Sequence, residues 1–573
     1  MSNGFVRGTA FAAVVLTVAC GPRDARVVTP PPDLDRAVGL IRQGCYDCLL
    51  EARTIYRQAA AAPSGLTAAP RLFEVNVLIA LREKELALDG AEAFAEAEAV
   101  ARRLPAEFDA SHYLELVANV PLDDVGTPRS VLRAFTRARI DSGWVDRLDA
   151  ELAWLRTGSF DGVFREYLSL ALDCAYPRAS APGATARPSS GSIPGADAPP
   201  ILRYRYATCR RIGQRVLTEV RDAEPRFVET SIPLTRLDLA LAEQLGPGQA
   251  SERLAEARAR FPRSPSALYL SGSLHQLIGD CDTALAFYDQ TLALQPLHED
   301  ALLGRVTCLS TLDQHADAIA AATRIIDLHL DNIADAYYWR AWNHDALHEL
   351  PEARADVTEA KRVPTLVAFT LAGIIEHDQG DLGPAEIDLA RGRTMARDDM
   401  NCIAIWYLGL VHMKRLAWPE GARDFEDAMP CYEKTAAQVA SRLQQIQSQP
   451  GIDAAFVATR VAALRTEIQD DVSQRFAAAL NAANCYATAG RVPETKRLVD
   501  IAAQDPALGE MVKKLRDWLR DKGGVTLVSA RGLRAALQLT RARSSKRRMV
   551  EAAGVEPASE RPVVQGRYML SRA

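Results

Sequence analysis

Small and large apolar residues recur along the middle of the chain at a spacing too long for one helix and too regular for a loop. Ala250, Ala284 and Ala318 stand 34 residues apart, as do Pro262 and Pro296. Ala353, Ala385 and Gly421 continue the series at spacings of 35, 32 and 36. Twelve residues before these anchors come Gly272, Val306, Ala341, Gly373 and Gly409, and four after them come Leu254, Tyr288, Ala322, Val357, Leu389 and Phe425. The pattern predicts pairs of antiparallel helices, in which a small residue on each helix lets the backbones approach and a larger apolar residue fills the next layer. Gly279 and Gly380 fall at the predicted turns, where a residue at positive φ closes the first helix. One such hairpin cannot bury its apolar face alone, so neighbours must stack.

These residues resemble the tetratricopeptide repeat, a helix-turn-helix unit of 34 residues. The resemblance covers about six units from 231 to 430 and is best over Ser266–Pro296, with Gly272, Ala284, Tyr288 and Pro296 on pattern. It departs at Val306, where a small residue is typical, and at Leu330, where Pro is. Partial matches occur at Ala52, Tyr56, Ala59 and Pro63, at Gly158, Phe160, Val163 and Tyr167, and at Ala483, Tyr486 and Gly490. The resemblance implies an all-α fold, a right-handed superhelical solenoid of antiparallel helix hairpins. It also implies a concave groove, lined by the first helix of each hairpin, that holds a protein or peptide. Mapped onto this chain, one groove position carries Tyr269, Leu303, Tyr338, Thr370 and Trp406, and the next carries Trp342, Ile374 and Leu410. Tyr269, Tyr338, Trp342 and Trp406 are therefore the expected binding residues, with packing between hairpins as the competing role. The Lys and Asn set by which some members clamp a C-terminal carboxylate does not occur at these positions.

Hydrophobic residues make up 48% of the 573 positions and charged residues 25%, as in ordinary folded chains. The formal charge of -5 hides an asymmetry: residues 531–573 hold ten Lys or Arg against three Glu, a net +7, which leaves -12 on residues 1–530. An acidic body with no basic stripe argues against nucleic acid as a partner. From Pro177 to Pro200 six prolines stand among Ala, Ser and Gly, a composition that cannot offset the entropy of ordering. The expected organisation is a signal peptide at 1–19, a lipidated tether at 20–35 and N-terminal helical hairpins at 36–176. A disordered linker follows at 177–200, then the repeat array at 201–430, C-terminal helical repeats at 431–522 and a basic tail of low order at 523–573. Within that tail Met549–Glu560 resembles the ends of bacterial reading frames that run into a tRNA gene, so read-through and a genuine basic tail both stand as readings.

Arg7 precedes an uncharged run from Gly8 to Ala19, the length of a signal-peptide core and too short to span a bilayer. Leu16-Thr17-Val18-Ala19-Cys20-Gly21 resembles a bacterial lipobox, although Thr17 stands where Leu is usual. The resemblance implies a lipid on Cys20, a membrane partner through that lipid and, from Gly21, the outer membrane facing the periplasm. An ordinary secretory signal is the alternative. In an oxidising compartment nine further cysteines remain, an odd number that cannot all pair. Cys45 and Cys48 form a CxxC without the surrounding residues of a redox site, which points to a local disulfide or two packed thiols. Cys174 and Cys209 flank the linker and are a further possible pair.

His344 and His348 are spaced to grip a metal from one face of a helix, close to a zincin motif but with Asp345 beside His344 in place of Glu. The repeat register competes, because His275, His344 and His412 all stand nine residues before an anchor, where the repeat favours a packing Tyr. No GxSxG elbow, phosphate loop or dinucleotide fingerprint is present. The expected protein is a scaffold without catalysis, cofactor or metal. An outer-membrane assembly or export helper is the second reading, and a metal-dependent hydrolase using His344 and His348 is the third.

Overall fold

The structure is a computed structural model that describes residues 33–62, 67–88, 90–120, 137–139, 141–175, 195, 197–210, 213–245, 249–396, 401–448 and 454–520. The expected signal peptide, Cys20, nearly all of the linker and the basic tail lie outside the described residues, as do the side chains of Cys174 and Cys209. Among the described residues there is no strand, and no helix is long and apolar enough to cross a membrane.

Six hairpins make the array, here numbered I to VI. Hairpin I is Ser231–Leu245 with Ala250–Arg260, II is Pro265–Leu277 with Cys281–Leu294, and III is Glu299–Thr311 with His315–Asp327. Hairpin IV is Ile333–Ala346 with Leu350–Ala360, V is Leu366–Gln379 with Leu382–Met395, and VI is Cys402–Lys414 with the long helix Trp418–Ser448. Local chemistry starts and stops these helices. Ser264, Thr365 and Asn401 cap first helices by accepting hydrogen bonds from backbone N–H groups three residues on, and the His298 ring does the same for Ala301, which satisfies donors that a helix start leaves open. Five residues before each anchor the chain turns through positive φ: Gly279, Asp313, His348, Gly380 and Leu416. Only two of the five are glycine, so three turns carry the cost that a side chain bears in this region.

The small-to-large pairing read from the sequence is a physical contact. A Cβ on Gly272 would lie 2.6 Å from the Tyr288 ring, and one on Gly409 would lie 2.8 Å from the Phe425 ring. Gly373 meets Leu389 in the same way. Tyr288 is gripped twice, since a Cβ on Gly304 of the next hairpin would come within 2.5 Å of its ring. The ring thus joins hairpin II to hairpin III while its Oη donates to Gln276 Oε1 at 2.6 Å.

Earlier helices pair in the same manner, Leu34–Gln43 with Tyr46–Ala60, Ala69–Glu85 with Ala91–Ala101, and Trp144–Thr157 with Gly162–Ala175. Phe73, Tyr113, Phe160 and Phe164 fill their centre, with ring centroids 4.7–6.3 Å apart. The helix Pro200–Arg210 packs on both Gly162–Ala175 and Leu34–Gln43, so one apolar core runs from Ala37 to Cys308 across the expected linker. At the other end Trp418–Ser448 continues straight through the expected boundary at 430, with Pro430 inside it, and pairs along its length with Ala454–Thr488. The helices Val492–Ala502 and Gly509–Arg520 complete the described chain.

Candidate functional site

First helices of successive hairpins pack on one another from I through VI as well as on their own partners, and second helices are not brought together in this way. An array in which one set of helices is closer together than the other curves with that set inside, so the first helices form the inner face. The inner stripe of hairpin IV reads Asp335, Tyr338, Trp342 and Asp345, at steps of three and four residues that stay on one side of a helix. Asp300 on hairpin III lies on the corresponding stripe, and on hairpin V the corresponding positions are Val367, Thr370, Ile374 and His377.

The expected binding aromatics are all present on this stripe register, but they do not form an open groove. Tyr269, Tyr338, Trp342 and Trp406 are 4, 3, 4 and 5% exposed. Tyr269 lies 4.8 Å from the His298 ring, Tyr338 meets Trp339 edge-on at 5.4 Å, and Trp406 meets Phe425 edge-on at 5.3 Å. Thr370 and Ile374 are buried as well, within a run of ten buried residues from Ala368 to His377. The correction has a plain cause: tight curvature brings first helices together, so positions open on a single hairpin are packed between neighbours. Half-buried positions of the inner face are instead Asp300, Leu303, Asp335, Val367, Ile403, Tyr407 and Leu410.

Three buried polar atoms on this register have no hydrogen-bond partner within the chain: Ser266 Oγ, the Tyr338 hydroxyl and His377 Nε2. Burial pushes the Tyr338 hydroxyl up from the ordinary phenol range. The other ring nitrogen of His377, Nδ1, is 3.0 Å from Asp378 Oδ1, and Lys414 Nζ donates to the His377 carbonyl at 2.8 Å. Leaving a buried polar group unmatched is costly.

The histidine pair is separated by the turn. The first helix of hairpin IV ends at Ala346, and exposed His348 sits beyond it at φ 62°. His344 Nδ1 pairs with Glu349 Oε2 at 2.6 Å and its Nε2 faces Asp356 at 3.8 Å. Among the described residues no group of three His, Cys, Asp or Glu is placed to hold a metal ion. The position shared by His275, His344 and His412 has an electrostatic role: His275 faces Asp280 at 3.1 Å and His412 faces Asp424 at 2.5 Å. Hydrogen bonding to Asp424 raises the His412 pKa, opposed by its burial. At the same position of hairpin V stands Glu376, which burial, with Asp388 nearby, pushes up to about 7.

Cys45 and Cys48 form a disulfide at the start of Tyr46–Ala60. A second disulfide, Cys402–Cys431, ties the two helices of hairpin VI and was missed in the sequence, where the only signal is two cysteines a little under one repeat apart. A buried ionic cluster was missed too. Arg82 Nη2 donates to Glu229 Oε1 at 2.7 Å and its Nη1 to Glu85 Oε2 at 2.5 Å. Glu85 also accepts from Arg205 at 2.8 Å and from the Tyr167 hydroxyl at 2.6 Å, while Glu229 accepts from the Tyr46 backbone at 2.6 Å. The Arg82 guanidinium stacks 4.0 Å over the Tyr204 ring. The available signal was charge at Glu74 and Arg82 inside the apolar stretch 72–82.

No protein-family model matches the chain, and no curated protein does. Solved structures similar to it include YrrB, a tetratricopeptide-repeat protein with an unusual peptide-binding site, at 16% identity and a TM-score of 0.27, covering 31% of this chain and 91% of that one. A tetratricopeptide-repeat protein from Parabacteroides merdae matches at 14% identity and 0.27, covering 44% and 96%. The Cut9–Hcn1 hetero-tetramer of APC/C matches at 12% identity and 0.33, covering 83% and 92%.

Proposed function

We propose that the chain is a tetratricopeptide-type binding scaffold, exported and anchored by a lipid on Cys20, that holds a protein or peptide partner along its inner face and catalyses no reaction. The observation that carries the binding reading is the continuous inner face made by six first helices side by side, with half-buried acidic and apolar positions along it. Such a surface presents many contacts in fixed register to one extended ligand. The signal-like end, with Cys20 in a lipobox-like sequence, supports export and anchoring in the outer membrane facing the periplasm. The disulfides Cys45–Cys48 and Cys402–Cys431 support it as well, since such bonds persist in oxidising compartments. The net charge of -12 on residues 1–530 supports a partner other than nucleic acid.

The test uses the full-length protein to capture binding proteins from cell-envelope extract, as wild type, with Asp335→Lys and Val367→Lys together, and with Ile387→Lys. Ile387 lies on a second helix and is 68% exposed, so its change leaves the inner face intact. A partner retained by wild type and Ile387→Lys but lost from the double variant supports the reading, and equal retention by all three overturns it. For the anchor, Cys20→Ala is expected to release the protein from the membrane fraction; unchanged fractionation refutes the anchor.

A further inference from the structure

Cys281, Cys308 and Cys485 are free and buried, and the first two meet across a hairpin boundary. Cys281 is the first residue of the second helix of hairpin II, and Cys308 lies on the first helix of hairpin III. Joined through residues 295–298, these two helices run antiparallel and pack on each other. Their register is fixed where the Tyr288 ring lies against Gly304. One turn back from Tyr288 and one turn on from Gly304, Ala284 comes opposite Cys308, and the next step puts Cys281 opposite Thr311. Ala284 holds only a methyl group between the helices, which leaves room for the Cys308 thiol to reach Cys281, and the two thiols are hydrogen-bonded. All three side chains belong to the same apolar core.

The two thiols are not equivalent. Cys281 stands at a helix N-terminus beside the turn at Gly279, where open N–H groups favour a thiolate. The hydrogen bond from Cys308 holds its pKa below the usual thiol range against its burial, and the same contact, with burial, pushes Cys308 up. We propose that Cys281 and Cys308 are a dithiol that closes to a disulfide between hairpins II and III by exchange with an external disulfide. The Cys281 thiolate attacks the external disulfide, forms a mixed disulfide and releases one thiolate. Cys308 then loses its proton to solvent, and its sulfur displaces the second. Two electrons pass from the pair to the oxidant, which leaves as two thiols. Cys45–Cys48 ties one helix start and Cys402–Cys431 one hairpin, whereas this bond joins neighbouring hairpins. It fixes the angle between them covalently, where packing of Tyr288 alone otherwise sets it. The proposal stands apart from the inner-face and lipid readings and does not depend on either.

The test uses the full-length protein, reduced with dithiothreitol, desalted and incubated with glutathione disulfide. Samples are quenched with acid, alkylated and digested with trypsin without further reduction. Arg305 separates the two cysteines, so the bond is read by mass spectrometry as peptide Ser264–Arg305 joined to Val306–Arg324. The joined peptide is expected to form at least tenfold faster than glutathione adds to Cys485, a buried thiol whose pKa burial pushes up to about 12. Recovery of Cys45–Cys48 in the same sample shows that the oxidant has acted. Cys281 and Cys308 still free at that point, or joined no faster than Cys485 is modified, overturns the proposal. In Cys308→Ser, glutathione is expected to accumulate on Cys281, and Cys281→Ser is expected to slow loss of the Cys308 thiol at least tenfold; the opposite asymmetry refutes the order of attack. Oxidised wild type should also unfold at a higher urea concentration than Cys308→Ser treated alike. A joined chain with an equal midpoint overturns the tie between hairpins.

Discussion

Tyr288 is held between two glycines of neighbouring hairpins, and this contact gives a quantitative test of how the array is built. Replacing Gly272 by Ala places a methyl 2.6 Å from Tyr288 Cε1 and 2.8 Å from Cδ1, where carbon atoms at rest stay about 3.5–4.0 Å apart. The ring cannot retreat, because on its far side the Gly304 backbone leaves only 2.5 Å between its own projected Cβ and Tyr288 Cζ, and the hydroxyl is bonded to Gln276. The side chain is 1% exposed, so no solvent gap is available. Overpacking of this kind costs about 1–3 kcal/mol, against a gain of about 1 kcal/mol for replacing Gly within a helix. Net destabilisation of up to about 2 kcal/mol is expected, read as a lower urea midpoint by far-ultraviolet circular dichroism. Gly383→Ala is the control, since nothing lies within 4 Å of a Cβ there, and it is expected to leave stability unchanged or raised. The decisive arm is Gly272→Ala in a Tyr288→Leu background, where the smaller side chain should remove most of the penalty. A Gly272→Ala protein more stable than wild type, or the same effect of Gly272→Ala in both backgrounds, would refute the clamp.

Glu229→Ala removes one of the two carboxylates that hold buried Arg82, leaving Glu85, and is expected to cost about 1.5–3 kcal/mol; a loss below about 1 kcal/mol in urea unfolding would show that the cluster does not tie the N-terminal helices to the array. Leu416 is 67% exposed and at φ 62°, so Leu416→Gly should stabilise by about 1 kcal/mol, and a lower thermal midpoint would contradict the strain. The Glu376 pKa is raised to about 7 from 4.5: its folded form holds the proton more tightly, so its contribution is full below about pH 4.5 and is lost as pH rises through about 7. Glu376→Gln should therefore flatten stability between pH 5 and 8, and an unchanged pH profile would rule the group out. Reducing Cys402–Cys431, which closes a loop across a sequence separation of 29, should lower stability by about 3–4 kcal/mol, with Cys402→Ser and Cys431→Ser together giving the same loss without reductant; no change in either would mean the bond does not constrain hairpin VI.

Much of this was legible because it is local. Spacing of Ala284, Gly272 and Tyr288 encodes which faces of two adjacent helices meet, and those faces meet in the structure. The turn position was readable at Gly279 and Gly380, and register alone extends it to Asp313, His348 and Leu416, of which Leu416 is the one that turn propensity would not pick. The same register placed His348 beyond the helix end and so dissolved the apparent metal pair.

What escaped the sequence depends on how hairpins stack. Each hairpin turns a little relative to the last, and only the sum of those rotations decides whether an inner position is open or covered. Tyr338 and Trp342 were readable as inner-face residues, but their burial comes from neighbouring first helices and no single repeat encodes it. Arg82 meets Glu229 across 147 residues, and the last hairpin of the array reaches back to the first; neither pairing leaves a period in the chain. Helices, their pairing and the chain's division into an acidic body and a cationic segment were fixed by residue order. Closure of the array, the buried ionic cluster and the unmatched polar atoms of the inner face were decided by tertiary packing, because long-range geometry accumulates over many hairpins while sequence patterns report on one.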